Sequence, residues 1–151
     1  MWIDKQNELS AAQAVTATAI SENVIDTNYT GTVPLRDLGN GAVPIYVVVK
    51  TNTACTDSGS DATLTVTVES DSAVGLDASA TVHLKTIAFA FAHFSVADTV
   101  LLVAQLPPGN YERYLGVRYT VASGPLTAGA FDALLTTDPQ RWRAYASGTR
   151  V

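Results

Sequence analysis

The sequence has few of the residue types that most catalytic and metal-binding sites use. Its 151 residues include one cysteine, Cys55, and two histidines, His83 and His93. One cysteine cannot form a disulfide within the chain, and this set is too small for a cysteine–histidine zinc site. Charged residues make up 15% of the chain, whereas about 25% is usual for a globular domain. The composition predicts neither a metal cofactor nor a disulfide-stabilised fold.

The chain also lacks a surplus of basic residues. Lys and Arg total 9 against 14 Asp and Glu, which gives a net charge of −5. A protein that binds nucleic acid through its phosphates needs a positively charged face, so nucleic acid is not an expected partner. The most apolar stretch, residues 86–106, would place Asp98 within a membrane span at a high cost. Without an apolar leader either, the chain is expected to be made in the cytoplasm and to have no membrane partner.

Alternation of apolar and polar side chains dominates the sequence and predicts β-strands. Residues 63–69 read Thr-Leu-Thr-Val-Thr-Val-Glu, and residues 113–121 repeat the alternation. Residues 45–49 are continuously apolar, which is typical of a strand covered on both faces. Further strands are expected at residues 14–20, 23–26, 80–89, 100–106 and 130–136.

Clusters of Gly, Pro, Asn and Asp separate these segments and predict turns. They lie at residues 39–41, 57–61, 107–110 and 123–125. No window predicts an amphipathic helix. Roughly seven or eight short strands with regular turns indicate an all-β, single-domain antiparallel β-sandwich or jelly roll.

The two histidines have no partner in sequence. His83 alternates with Val82 and Leu84 and is expected on the solvent side of a strand. His93 has the same parity as Phe89 and is expected at the edge of the core or in an interface. A lone histidine on a strand is more often structural than catalytic.

The cysteine and the acidic loop also favour structural roles. Cys55 has no basic neighbour that would lower its pKa, so it is expected to be a small apolar residue. Residues 57–61 carry oxygen donors at alternate positions but lack the bidentate acid that closes a calcium loop, so a plain hairpin loop is favoured. We therefore expect no catalytic residue and no metal site, and hence a protein that is not an enzyme.

The two ends of the chain differ from its middle. Residues 139–151 contain three arginines and no acid, a charge of +3, which leaves 6 − 14 = −8 for the rest. Because Arg and Trp are enriched in protein–protein hot spots, we expect extended terminal arms that bind protein, with a disordered terminus as the alternative. The candidate interface residues are Trp2, Ile3, Arg141, Trp142, Arg143 and Tyr145.

Several short strings carry a family resemblance. They include Gln-Ala-Val-Thr-Ala-Thr-Ala at 13–19, Glu-Arg-Tyr-Leu at 112–115, Tyr-Thr-Val at 119–121 and Gly-Pro-Leu-Thr-Ala-Gly at 124–129. In order and spacing the chain resembles the capsid cement, or decoration, proteins of tailed bacteriophages, of the Bordetella-phage type. The resemblance covers about residues 1–138, and the tail from residue 139 departs from it.

The resemblance implies a structural viral protein. It implies a jelly-roll domain with an N-terminal arm over residues 1–138, whereas the basic, aromatic arm 139–151 is predicted from its own residues and not by the resemblance. Cement proteins bind the capsid exterior of the virion as homo-oligomers, bridge major capsid protein subunits and stabilise the head. A dimer is favoured over a trimer, and no catalytic residue is carried over.

An alternative function of a different class stays open. A carbohydrate- or receptor-binding β-sandwich on a virion surface would display exposed aromatic side chains next to Asn or Asp. Tyr111 beside Asn110, and Tyr29 beside Asn28, are the hints of such a site.

Overall fold

Ten β-strands and two 3₁₀ turns build the part of the chain that the computed structural model describes, which is residues 5–27, 38 and 40–139. The 3₁₀ turns are Lys5–Asn7 and Phe91–His93. The strands are β1 (Glu8–Ala14), β2 (Ala19–Ile20), β3 (Ile25–Asp26), β4 (Tyr46–Thr56), β5 (Thr63–Asp71), β6 (Thr81–Lys85), β7 (Phe89–Ala90), β8 (Val100–Gln105), β9 (Tyr114–Ala122) and β10 (Ala128–Thr136).

The strands form two antiparallel sheets. The first sheet has the order β1-β10-β4-β8; the second has the order β2-β9-β5-β6, with β3 added to β9 and β7 to β5. The chain changes sheet at most connections and stays in one sheet only from β2 to β3 and from β5 through β7. The predicted all-β antiparallel β-sandwich is confirmed. The finer classification as a jelly roll stays a prediction.

The core lies between the sheets and follows from the two-residue period of the strands. Leu64, Val66 and Val68 of β5 point inward and are fully buried. Two aromatic side chains of the core also stack on each other: Tyr119 of β9 and Phe131 of β10, with ring centroids 5.1 Å apart. Because β9 and β10 belong to different sheets, this pair joins the two layers directly.

Strand β4 is buried on both faces, as its continuous apolar run predicts. Val47 and Val49 belong to the core between the sheets, and Val48 points the opposite way, yet none of the three is more than 1% exposed. Val48 pairs with Leu134 of β10, which is also buried. The first sheet therefore has a covered patch on its outer face as well.

The two flanks of the sandwich are closed differently. On one flank the side chain of Gln13 in β1 bridges the sheets: its Nε2 donates to the carbonyl of Ile20 in β2 over 2.8 Å, and its Oε1 accepts from the amide of Glu22 over 2.8 Å. The edges β1 and β2 therefore lie together. The opposite edges, β6 with β7 and β8, form the other flank, which we call the β6–β8 side together with the connection 86–99.

The predicted strand at residues 14–20 is wrong. The strand ends at Ala14, having begun at Glu8, and the chain then crosses to the second sheet. The crossing segment is held by single hydrogen bonds, from the amide of Val15 to the carbonyl of Gly129 and from the amide of Leu126 to the carbonyl of Thr16. The β-branched side chains of this segment imitate a strand, but its backbone pairs with no single neighbour.

The predicted strand at residues 80–89 is divided into β6 and β7. Thr86 interrupts it, because its hydroxyl oxygen accepts from the amide of Val66 over 3.0 Å, in the place where a backbone carbonyl would continue the ladder. The predicted turns at 57–61, 107–110 and 123–125 are confirmed within the described residues. The helices of the part described are short turns, and none could cross a membrane.

Gly129 is a position at which the fold requires glycine. Its φ is +149°, and a Cβ would lie 3.0 Å from Cys55 Cα and closer still to its Sγ. We expect Gly129→Ala to lower the free energy of unfolding by about 2–4 kcal/mol, through backbone strain and overpacking. Denaturant unfolding measures this change. Gly109→Ala is the control, because a Cβ there meets nothing within 4 Å; equal stability of both variants would contradict the expectation.

Candidate functional site

The six candidate interface residues predicted from the sequence lie outside the described part of the chain. They are Trp2, Ile3, Arg141, Trp142, Arg143 and Tyr145. Their assignment to an interface stays a prediction. The described residues offer other surfaces, and the most structured of these is the outer face of the second sheet.

A loop covers part of this outer face and is held there by one carboxylate. Asp71, at the end of β5, is buried and accepts hydrogen bonds from the amides of Ala73 and Asp77, at 3.3 and 2.8 Å. The hydroxyl of Ser79 donates to the same carboxylate over 3.4 Å. Burial acts to raise the pKa of Asp71, but these hydrogen bonds outweigh it and hold the pKa below its ordinary value. The charged carboxylate thus fixes the path of residues 72–80.

The tip of this loop packs directly on the sheet. Leu76 has a φ of +45° and its side chain is buried, although it lies on the outer face. It fits over Gly116 of β9, where a Cβ would come within 2.7 Å of Leu76 Cδ1 and 3.0 Å of Ser21 Oγ. The sequence places Gly116 on an outward face but gives no sign that a loop covers it.

An ion pair lies beside the loop. Arg118 of β9 donates through Nε to Glu69 of β5 over 2.9 Å, and through Nη2 to the carbonyl of Leu76. Glu69 is buried, and its second oxygen accepts from the hydroxyl of Thr67. The pair therefore connects two central strands to the loop. Removing one partner would leave the other charge poorly solvated.

The loop and the ion pair line an open pocket of about 480 Å³. Its lining residues are Glu69, Gly75, Leu76, Asp77, Ala78, Ala80, Val82 and Arg118. Since the internal contacts already engage Glu69 and Arg118, the pocket offers a fixed shape with mixed polarity.

The acidic segment at residues 57–61 is a loop, but the prediction of a hairpin is wrong, because it connects β4 of the first sheet to β5 of the second and these two strands do not pair. The carboxylate of Asp57 accepts from the amides of Gly59, Asp61 and Ala62, at 3.3, 3.0 and 3.0 Å. The bond from the Ala62 amide is the main reason that the pKa of Asp57 lies below its ordinary value. Within the described ranges, no three His, Cys, Asp or Glu side chains are placed to share a metal ion.

The prediction that His83 lies on the solvent side is wrong. His83 lies at a register shift in the pairing of β5 with β6, between Leu84, which pairs with Val68, and Val82, which pairs with Glu69. There its ring stacks on Tyr111 with centroids 4.0 Å apart, and Nε2 lies 2.7 Å from Ser70 Oγ. Partial burial lowers the pKa of His83, so the neutral imidazole is favoured.

The contact between Ser70 and His83 has the partners of a nucleophile and a base but serves the fold. Ser70 is fully buried, and its hydroxyl oxygen also accepts from the amide of Glu112 over 3.1 Å. Tyr111 covers the histidine and donates its own hydroxyl to the carbonyl of Pro107 over 2.7 Å. A substrate carbonyl could not reach the Ser70 oxygen without displacing these contacts. The cluster joins β5, β6 and the β8–β9 connection.

The other histidine and the cysteine lie where the sequence places them. His93 is exposed at the core edge, 5.9 Å from Phe89 between ring centroids. Cys55 is buried, and burial raises the pKa of its thiol to about 11. A thiol with that pKa is protonated at neutral pH and is a poor nucleophile.

Comparison with known proteins identifies a family. The Bbp16 family model matches residues 9–135, which includes nearly the whole sandwich from β1 to β10. The name Bbp16 indicates a Bordetella phage protein. No curated protein matches the chain.

Replacing Asp71 by asparagine tests the fixation of the loop. We expect Asp71→Asn to speed amide hydrogen exchange at Ala73 and Asp77, because a carboxamide cannot supply both acceptor oxygens. Asp77→Asn is the matched control, since it removes one charge from the same loop without removing these acceptors. Unchanged exchange in Asp71→Asn would contradict the assigned role.

The lowered carboxylate pKa values also predict a response to acid. Asp57 and Asp71 bind protons more weakly in the folded protein than in the unfolded chain. Their contribution to the free energy of unfolding is therefore complete above the ordinary carboxyl pKa of about 3.9. It is lost as the pH falls through the lower pKa values that the two carboxyls have in the folded protein. In thermal unfolding between pH 5 and pH 2, we expect Asp71→Asn to lose less stability than the wild type. An equal loss in both would count against this linkage.

His83 predicts a second pH window. Because its folded pKa is lowered, the unfolded chain takes up a proton first, and stability falls as the pH drops below about 6.5 toward the folded value. His83→Gln should flatten the melting temperature between pH 7 and pH 5, whereas the exposed control His93→Gln should keep the wild-type slope. The same slope in all three proteins would show that His83 does not cause it.

Proposed function

The chain belongs to the Bbp16 family, and from this premise we propose that it is a structural protein of a tailed bacteriophage that binds the outer surface of the capsid. In this proposal it bridges major capsid protein subunits and stabilises the head. The observation that carries the proposal is the match over residues 9–135, because the strings that resemble cement proteins lie almost entirely within the same residues.

The rigidity of the described surface supports a binding role. Asp57 and Asp71 each hold a loop through two or more backbone amides. Leu76 and Arg118 attach the second of these loops to the sheet below it. A surface that is ordered before binding loses little conformational entropy on contact, which favours attachment to a fixed lattice.

The symmetry of a capsid supports an oligomeric binder. A shell presents many identical sites, and an oligomer that contacts several subunits gains effective concentration at each further contact. A closed oligomer also matches a local symmetry axis. We therefore propose that the protein acts as a homo-oligomer whose individual contacts are weak and whose combined attachment is strong.

The terminal arms are the proposed capsid anchors. Trp142 lies between Arg141 and Arg143 in a tail of charge +3, whereas the rest of the chain carries −8. An indole side chain gains roughly 1.5–3 kcal/mol or more when it is buried. We propose that Trp142 packs on a neighbouring protein, with the two arginines pairing with carboxylates at the rim.

The carbohydrate-binding alternative loses one of its two hints. Tyr111 is half-buried under the stack with His83, and its hydroxyl is bound to Pro107, so its ring is not an open platform for a sugar. The other hint, Tyr29, lies outside the described residues. An enzymatic function has no comparable support, and our proposal includes no catalytic residue and no cofactor.

Capsid binding can be measured with heads that lack the protein. Purified protein is mixed with such capsids, and the bound fraction is determined after sedimentation. We expect saturable binding and a higher temperature of head disruption. The proposal would be overturned if the protein stayed in the supernatant at saturating concentration and the temperature of head disruption did not rise. Binding to a glycan array instead would favour the alternative.

The same assay tests the arm. Trp142→Ala should weaken capsid binding at least tenfold, since a loss of about 1.4 kcal/mol changes an equilibrium tenfold. Ser147→Ala, in the same arm, is the matched control and should bind as the wild type does. Equal binding of all three proteins, and of a chain that ends at Asp138, would show that the arm is not an anchor.

A further inference from the structure

A row of outward-facing side chains crosses the first sheet. The register places Glu8 of β1 beside Leu134 of β10, Leu134 beside Val48 of β4, and Val48 beside Val103 of β8. Leu134 and Val48 are 3% and 1% exposed, whereas Val103, on the edge strand, is 41% exposed. The covered part of the row therefore lies over the two central strands, on the side of β1.

The burial of Leu134 and Val48 does not come from the core. The core between the sheets contains the neighbours of both residues along their strands, which are Val47, Val49, Ala133 and Leu135, but neither of the two residues themselves. The outer face of an antiparallel sheet is ordinarily in water. An exposure of 3% or less at the centre of that face requires a cover that lies outside the sandwich.

The N-terminal arm enters the fold beside this row. The 3₁₀ turn Lys5–Asn7 lies next to β10 and leads directly into Glu8. Because neighbouring strands are about 4.8 Å apart, Leu134 and Val48 lie about 5 and 10 Å from Glu8. Trp2 precedes Glu8 by 8 − 2 = 6 residues, and a chain of that length reaches up to about 20 Å. The arm is therefore long enough to cover both side chains.

The chemistry of this arm also suits the row. Residues 1–3 read Met-Trp-Ile and carry no charged side chain. The other arm starts at the same corner, since β10 ends at Thr136, but its residues 139–151 include three arginines. A charge placed beside a closed apolar patch loses hydration, whereas an apolar side chain gains free energy there. The apolar N-terminal residues are thus the better cover.

We propose that residues 1–3 fold back over the outer face of the first sheet and that Trp2 and Ile3 pack on Leu134 and Val48 of the same chain. The N-terminal arm then closes a second, smaller apolar layer outside the sandwich. In this arrangement Trp2 and Ile3 serve the fold and are not capsid contacts. The proposed capsid anchors are thereby narrowed to the basic arm, residues 139–151.

The two tryptophans allow a direct test, because each arm carries one. The variant Trp142→Phe leaves Trp2 as the indole that is observed, and Trp2→Phe leaves Trp142. In the folded protein without capsids, we expect the emission of Trp2 to lie at shorter wavelength than in the urea-unfolded chain and to be weakly quenched by acrylamide. If Trp2 is quenched as freely in the folded as in the unfolded protein, the proposal is overturned, whatever Trp142 does.

A double-mutant cycle tests whether Trp2 packs on Leu134. We expect Trp2→Ala to lower the melting temperature by about 4–10 °C. In a Leu134→Ala background it should lower it by roughly half as much or less, because the effects of residues in contact do not add. Leu76→Ala is the matched control background, since Leu76 is also a buried leucine on an outer face, but on that of the second sheet. There Trp2→Ala should have its full effect.

An equal effect of Trp2→Ala in all three backgrounds would overturn the proposal, because Trp2 would then pack elsewhere. If Leu134→Ala does not fold, Val48→Ala takes its place as a smaller truncation in the same row. Neither measurement involves capsids. Heads that fail to bind the protein would therefore contradict the proposed function and leave this inference standing.

Discussion

The contact between the two sheets is the interaction on which the rest of the molecule depends. Tyr119 and Phe131 stack across the layers, and the Tyr119 hydroxyl, buried with them, donates to Ser10 Oγ over 3.0 Å. Burial raises the pKa of this hydroxyl, which keeps it protonated and able to donate. Because strands β9 and β10 lie inside their sheets, this contact orients both layers and all the loops that leave them. Surfaces far from the core can therefore be rigid without an internal disulfide.

The two loops next to β5 show what the acidic side chains of this weakly charged chain do. Asp57 and Asp71 bind backbone amides rather than distant cations, so each carboxylate orders several residues of its own loop. Where a charge does meet a partner across strands, as Glu69 meets Arg118, the cation also holds the covering loop through the carbonyl of Leu76. The acids thus supply a conformational restraint of the kind that a disulfide gives to other small domains.

The two-residue period predicts the fold class because it is a local consequence of burying one face of a strand. It places Leu64, Val66 and Val68 in the core correctly. The same rule fails where a single hydrogen bond changes the register, as at Thr86, or where a bulge rotates a side chain, as at His83. The sequence also does not reveal the loop over Gly116, because a tertiary contact between Leu76 and Gly116 holds it there. The candidate capsid anchor depends on a partner outside the chain, so the sequence supplies its chemistry but not its position.

The charge of this chain is divided unevenly between its tail and the rest. Residues 139–151 carry +3 and the remainder carries −8. Long-range attraction between opposite charges speeds association with a partner of opposite sign. Under the proposed function, each copy of an oligomer adds one such tail, and every tail that is attached raises the effective concentration of the next at the shell.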